Sequence, residues 1–168
     1  MSNLTVSIQE QITLPNNNVE TAINTVTISD VNQFVRRIDT VTYDYSGSGI
    51  GIIAFTNSES EQTPGSFVNS DVKYIRITNL TSSNKFASIY LIKTNSESVI
   101  FKLDPGKSLM LSNDDFNASN AEDYVEVGYV DEQYYTDFIY MNLIKAKAGD
   151  SDISYSGSIQ LEYIVASS

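Results

Sequence analysis

The chain has neither cysteine nor histidine among its 168 residues. The lack of cysteine excludes disulfides, zinc–thiolate sites and thiol catalysis, and it argues against a disulfide-stabilised secreted scaffold. The lack of histidine excludes Ser-His-Asp catalysis and imidazole metal ligands, and it removes the usual proton shuttle near neutral pH. Most familiar hydrolase mechanisms are therefore excluded, because the chain lacks the residues that they use.

Basic residues are also scarce, since 10 Lys and Arg stand against 21 Asp and Glu, for a net charge of −11. A charge of this sign repels phosphate backbones and anionic lipid, so we expect neither a nucleic-acid nor a membrane partner. The first residues, MSNLTVSIQEQ, lack the basic and apolar regions of a signal peptide, and no apolar run approaches the roughly 20 residues that span a bilayer. The expected place of assembly is a cytoplasm-like compartment.

Two pairs of neighbouring acids, Glu122-Asp123 and Asp131-Glu132, are the candidates for paired-carboxylate glycosidase chemistry. Neighbours on a strand point to opposite faces, and neighbours in a turn are solvated. The chain also has no tryptophan, and no other convergent group is evident to bind a sugar ring. We therefore expect no enzymatic activity, and a glycan-degrading enzyme stays as the third alternative.

Acid-rich turns at Asn113-Asp114-Asp115 and Asp150-Ser151-Asp152 offer oxygen ligands of the type that Ca²⁺ takes. Neither turn has the spacing of the twelve-residue calcium loop, and Asp and Asn favour such turns for local reasons. We expect no metal and no cofactor.

Alternation of apolar and polar side chains is the main pattern that is present, and it is clearest between Asp71 and Ser112. Four short runs there each place apolar residues on one face, as half-buried strands require. Asp104-Pro105-Gly106-Lys107 supplies turn residues between the third and fourth run. The pattern predicts a four-stranded β-meander with one shared apolar face.

The remaining segments extend this pattern to about ten short strands without any helical period. A chain of this length normally makes one domain. Its fold class is predicted to be all-β, an antiparallel β-sandwich of jelly-roll-like type. Within it we expect a strand buried on both faces at Ile50–Phe55, exposed loops at 56–70 and 113–123 with Phe67-Val68 anchoring the first, and a β-bulge near Asn142-Leu143.

The first strand is unusually long for a small domain and ends at Pro15 and an Asn16-Asn17-Asn18 turn. The chain is accordingly divided into an N-terminal strand or arm, residues 1–15, and a sandwich domain, residues 16–168. Two roles stay open for this strand, either the first strand of the sandwich or an arm that pairs with a neighbouring subunit. Its apolar face consists of Leu4, Val6, Ile8, Ile12 and Leu14.

Eleven tyrosines are the one compositional feature that points to an interface. A tyrosine ring with a polar tip contributes contact area at low entropic cost, although tyrosine also suits strands in general. Four tyrosines next to turns are the candidates: Tyr43, Tyr45, Tyr134 and Tyr135. Together with the face of the first strand they form the predicted interface.

The chain resembles the small β-sandwich virion proteins of tailed bacteriophages, in particular capsid decoration or cement proteins. The resemblance lies in Val72-Lys73-Tyr74-Ile75-Arg76-Ile77-Thr78-Asn79, the hydrophobic hairpin after it, and Pro105-Gly106-Lys107-Ser108 leading into Leu109-Met110-Leu111. It covers about forty residues and implies a sandwich or jelly-roll fold, homotrimerisation and no enzyme activity. The expected partners are other copies of the chain and the major capsid protein, and the expected location is the virion, assembled in a bacterial cytoplasm.

A phage tail-fibre or head-fibre domain is the alternative that the same resemblance leaves open. Such a domain would use the loops at 56–70 and 113–123 to bind a host receptor or glycan, whereas a cement protein would use a rigid face and an N-terminal arm.

The alternation throughout the chain predicts a β-rich far-ultraviolet circular dichroism spectrum with little helix. A helix content above about a third, the average of globular proteins, would contradict this fold class.

Overall fold

The computed structural model describes residues 2–43, 49–82, 85–96, 98–112, 138, 141–149 and 157–168. These residues form eleven strands and two short 3-10 helices, Glu59–Glu61 and Asn69–Asp71. The strands are β1 (Leu4–Thr13), β2 (Val19–Ile28), β3 (Gln33–Thr42), β4 (Ile50–Thr56), β5 (Ser66–Val68), β6 (Val72–Asn79), β7 (Phe86–Lys93), β8 (Ser98–Leu103), β9 (Ser108–Ser112), β10 (Met141–Gly149) and β11 (Ser158–Ser167). The predicted all-β sandwich class is confirmed.

Nine of the strands form two sheets that pack face to face. The five-stranded sheet has the order β5-β4-β10-β7-β8, and the four-stranded sheet has the order β3-β11-β6-β9. Neighbouring strands are antiparallel except for β4 and β5, which are parallel.

The core lies between these two sheets, where every strand contributes the side chains of its inner face. Its largest fully buried members include Ile53, Ile75, Ile89, Ile144 and Leu161. Burying one such side chain stabilises the fold by about 1.5–3 kcal/mol, so the core supplies most of the driving force for folding. Phe138 belongs to the same cluster and stacks on Phe55, with ring centroids 6.5 Å apart.

The four strands of the predicted meander exist, but their predicted arrangement is wrong. β6 and β9 pair with each other in the four-stranded sheet, whereas β7 and β8 form a hairpin in the five-stranded sheet. The chain therefore crosses between the sheets after β6 and again after β8. Alternation marks one apolar face on each strand, and that face reaches the same core from either sheet, so the pattern does not decide which sheet a strand joins.

Three local predictions can be compared with the structure. The bulge is confirmed, because the pairing of β10 with β7 shifts register between Met141 and Leu143. Phe67 and Val68 are buried and anchor the 56–70 segment, as expected, but the prediction of one exposed loop there is wrong, because Ser66–Val68 forms the buried strand β5. The prediction that the whole Ile50–Phe55 strand is buried on both faces is wrong. Only Ile52 and Ile53 are buried at consecutive positions, and Ile50 is exposed.

β1 and β2 form a two-stranded sheet of their own, paired over ten positions from Leu4↔Ile28 to Thr13↔Val19. The expectation that β1 is the first strand within a sandwich sheet is therefore wrong. Pairing with β2 closes only a short loop, which costs less chain entropy than pairing with a distant strand. We call this hairpin the arm.

The two strands of the arm are joined by a tight turn at residues 15–17. The Asn17 amide donates to the Leu14 carbonyl at 2.9 Å, and the Leu14 amide donates to the Asn18 carbonyl at 2.8 Å. Asn17 has φ +64°, a left-handed conformation that Asn tolerates better than most residues. Pro15 supplies the fixed φ before it, so the three-residue loop 15–17 is typical of a tight hairpin.

Asn79 is fully buried at the end of β6 and stabilises the connection from the four-stranded to the five-stranded sheet. Its Nδ2 donates to the carbonyls of Lys85 and Leu103, both at 3.0 Å, and its Oδ1 accepts from the Thr81 amide at 3.1 Å. The side chain thus joins the chain before β7 to the end of β8. A buried amide that satisfies three backbone groups is costly to replace.

We expect Asn79→Ala to lower the free energy of unfolding by about 2–3 kcal/mol, because it leaves buried backbone groups without partners. Chemical denaturation monitored by circular dichroism measures this loss. Asn24→Ala, at an exposed position in β2, is the matched control and should change stability by less than about 0.5 kcal/mol. Equal effects of the two substitutions would contradict the structural role of Asn79.

Candidate interaction surface

The base of the arm packs on the outer face of the four-stranded sheet, the face turned away from the core. Ile28 and Val31 are buried there against Tyr74, Ile164 and Ala166. Leu4, Val6, Val26 and Met110 add half-buried side chains to the same cluster. The Asn32 amide also donates to the Ser167 carbonyl at 2.9 Å. The base of the arm is therefore a third layer of the fold.

The tip of the arm, residues 9–24, is exposed apart from the half-buried Leu14. Strand register places Ile8, Glu10 and Ile12 on the face that continues from Leu4 and Val6, and it places Ile23 and Val19 on the opposite face. Ile12 is 56% exposed and Ile23 is 66% exposed. The tip thus presents large apolar side chains on both faces.

The edges of the arm carry little protection against pairing with another strand. An isolated two-stranded hairpin is only marginally stable in water. Natural sheets shield their open edges with lysine, proline or bulges. β1 and β2 contain no Lys, Arg, Pro or Gly, and their pairing runs without a register shift. These properties are typical of a segment that is covered by a partner.

A second uncovered apolar surface lies on β3, the edge strand of the four-stranded sheet. Phe34, Arg36 and Ile38 alternate along its outer face, which is the face on which the base of the arm packs. Phe34 and Ile38 are each 54% exposed. We call Phe34, Arg36 and Ile38 the β3 triplet.

Glu162 lies on β11 beside this triplet and is buried between two arginines. It forms an ion pair with Arg36, and it accepts a hydrogen bond from Arg76 Nη2 at 2.9 Å. Burial opposes ionisation of the Glu162 carboxyl, but the hydrogen bonds and charges of Arg36 and Arg76 outweigh it and hold its pKa below the usual value. With two arginines on one carboxylate, the cluster has a net charge of +1 in a chain of −11.

The predicted interface residues that the structure describes lie in different surroundings. Leu4 and Val6 pack inside the chain, Ile8 and Leu14 are half-buried, and Ile12 is exposed. Tyr43 is half-buried against the core, with Lys147 Nζ 5.7 Å from its ring centroid. The other three tyrosines lie outside the described residues: Tyr45, Tyr134 and Tyr135.

Several other predicted features also lie outside the described residues. They are the 113–123 loop, the turns Asn113-Asp114-Asp115 and Asp150-Ser151-Asp152, and the acid pairs Glu122-Asp123 and Asp131-Glu132. Among the residues that the structure does describe, no group of three or more acidic side chains is placed to hold a metal ion. The same residues contain no helix long and apolar enough to cross a membrane.

Sequence reasoning missed four exposed apolar residues of this surface: Val19, Ile23, Phe34 and Ile38. In β3 both faces carry apolar residues, with Val35 and Val41 on the inner one, so alternation alone did not show which face is open. Charge did not show it either, because Arg36 lies on the outer face whereas Arg37 and Asp39 lie on the inner face with Val35 and Val41.

Comparisons of the chain with protein-family models, with characterised proteins and with solved structures found no match.

We expect Glu162→Gln to lower the free energy of unfolding at pH 7 by about 2 kcal/mol. Breaking a buried ion pair costs about 3–5 kcal/mol, and the partial exposure of both arginines reduces that loss. Because the folded-state pKa is lowered, the contribution is complete above the unfolded pKa of about 4.3 and is lost as the pH falls through the folded value. The difference from wild type should therefore shrink in acid.

Denaturation curves between pH 7 and pH 3 measure this dependence. Asp104→Asn is the matched control, because Asp104 pairs with Lys102 at 3.0 Å in an exposed position where an ion pair contributes little. A constant difference between wild type and Glu162→Gln across this range would contradict the assignment of an ionised Glu162.

Proposed function

We propose that this protein is a non-enzymatic virion structural protein of the capsid decoration type, which binds the outer surface of a capsid as a homotrimer. The observation that supports this most is the tip of the arm, which exposes Ile12 on one face and Ile23 on the other. Apolar area left in water costs about 25 cal/mol per Å², so a tip of this kind is suited to a covered position in an assembly.

The body of the protein fits a scaffold that holds the arm in place. The buried base of the arm packs on the outer face of the four-stranded sheet, and this contact sets the position from which the tip extends. The segments that resemble decoration proteins are part of this body, where β6 and β9 pair through Ile75↔Leu111 and Ile77↔Leu109. Their role is structural, which agrees with a function in assembly.

Soluble homo-oligomers have closed symmetry as a rule, and the resemblance to decoration proteins favours three-fold symmetry. The proposed partners are therefore two further copies of this chain and the major capsid protein, with the virion as the location. The alternative, a fibre domain that binds a host receptor or glycan, is favoured by one observation, the exposed segment 59–64 that precedes the buried Ser66–Val68.

We expect a variant with a shortened arm to stay folded and to lose capsid binding. In this variant Ser7 and Thr25, which face each other in the hairpin, are joined by an Asn-Gly turn, so that the buried base is kept and the tip is removed. Light scattering should show a trimer for the full chain and a smaller species for the variant. Added to undecorated capsids, the full chain should bind and the variant should not.

Under the fibre alternative, neither the full chain nor the variant with a shortened arm should bind capsids. A full-length chain that stays monomeric at micromolar concentration and leaves capsids bare would reject the decoration role. Equal capsid binding by both proteins would show that the arm is not the attachment element.

A further inference from the structure

The tip of the arm and the β3 triplet carry complementary side chains at the same spacing. Ile8, Glu10 and Ile12 occupy alternate positions on one face of β1, in the order apolar, acidic, apolar. The β3 triplet, Phe34, Arg36 and Ile38, has the order apolar, basic, apolar on the outer face of its strand. Alternate residues lie about 6.6–6.8 Å apart on any strand, so the two sets match in either direction of approach.

These two surfaces are not in contact within one chain. Ile12, Phe34 and Ile38 are all more than half exposed, and within the described residues Glu10 has no ion pair, since Arg36 bonds Glu162 instead. A single copy therefore leaves both halves of the match in water. A second copy would cover both.

A contact between copies would also repeat one that the chain already makes. Within the chain, Leu4 and Val6 of this arm face pack on the outer face of the four-stranded sheet, against Ile164 and Tyr74. Ile8, Glu10 and Ile12 continue the same arm face toward the tip, and the β3 triplet continues the same sheet face toward its edge. The proposed contact uses the next stretch of two surfaces that are already complementary.

Charge supports the same pairing. Residues 2–31 contain Glu10, Glu20 and Asp30 but no Lys or Arg, and strand register places Glu20 beside Ile12 on the same face as Glu10. The sheet surface opposite carries the net positive Arg36–Glu162–Arg76 cluster. In a chain of net charge −11, two copies repel each other over most of their surface, so a local match of opposite charges selects this docking position.

We propose that the tip of the arm of one copy docks on the β3 triplet of the next copy, with Ile8 and Ile12 covering Phe34 and Ile38 and with Glu10 opposite Arg36. The two contact surfaces differ, so the interface is head-to-tail, and such an interface forms a ring, here the proposed trimer, when the rotation between copies closes. This inference rests on the self-association part of the proposed function and gives it a specific interface. It leaves the opposite face of the tip, with Val19 and Ile23, for the capsid.

Crosslinking between copies tests the contact directly, because the chain contains no native cysteine. Ile12→Cys is produced in the same cells as Phe34→Cys or Ile38→Cys, so that mixed oligomers form. Facing sheets lie about 10 Å apart, beyond the reach of a disulfide, so a short bismaleimide is used. Mass spectrometry then identifies peptides that join the two introduced thiols.

We expect either the Ile12–Phe34 pair or the Ile12–Ile38 pair to crosslink. The pair that does so shows in which direction the arm lies along β3. Ile23→Cys combined with the same β3 variants is the matched control, because Ile23 is at least as exposed as Ile12 and lies on the opposite face of the same tip. Yields from both Ile12 pairs no higher than those of the control would overturn the proposal.

Charge reversal provides a second and independent measurement. Glu10→Arg should weaken self-association at least about tenfold by light scattering, because it places like charges at the contact. Gln11→Arg adds an arginine on the opposite face of β1 and should leave association unchanged, and Glu10→Asp should keep it near wild type. Both positions, Glu10 and Gln11, are exposed in the arm, and circular dichroism checks that each of the three variants is folded.

The outcomes separate this proposal from the function it rests on. If the wild type forms a trimer and binds capsids while Glu10→Arg associates normally, the arm-to-β3 contact is wrong and the decoration role stands. If the wild type does not associate at all, the self-association part of the proposed function fails together with this contact.

Discussion

The outer face of the four-stranded sheet is apolar where the arm begins, and the need to cover it organises the rest of the molecule. β11, the second strand of that sheet, is buried along most of its length, because its inner face lies in the core and Ile164 and Ala166 lie beneath the arm. A two-layer sandwich would leave these residues in water. The base of the arm supplies the third layer, and this contact fixes where the arm leaves the body.

The arm consequently has two parts with different energetics. At its base, burial against the sheet stabilises a hairpin that would be marginal alone. Beyond Ile8 the backbone pairing continues for five more residue pairs, but the apolar side chains of Ile12, Val19 and Ile23 there are more than half exposed. Such a division between an anchored base and an uncovered tip suits an element whose second half is completed by another molecule.

Glu162 shows how the charged part of this surface is held in place. Two arginines share its carboxylate, and the ion pair with Arg36 positions that guanidinium on the outer face between Phe34 and Ile38. Tyr163 on the neighbouring position ties the same edge strand from the inner side, since its hydroxyl donates to Asp39 Oδ2 at 2.7 Å. These two contacts join β3 to β11 on both faces of the sheet, in addition to their backbone pairing.

The fold class, most strand positions, the turn at Pro15–Asn17 and the β10 bulge could be predicted from the sequence, because each depends on local alternation or on the backbone preferences of single residues. The placement of β6 and β9 in one sheet and of β7 and β8 in the other became visible only in the folded chain. The folded chain also distinguishes Leu4 and Val6, which pack against other residues of the chain, from the exposed Ile12. The physical reason is the same in both cases: alternation shows that a strand has an apolar face, and what covers that face depends on residues far away in the chain.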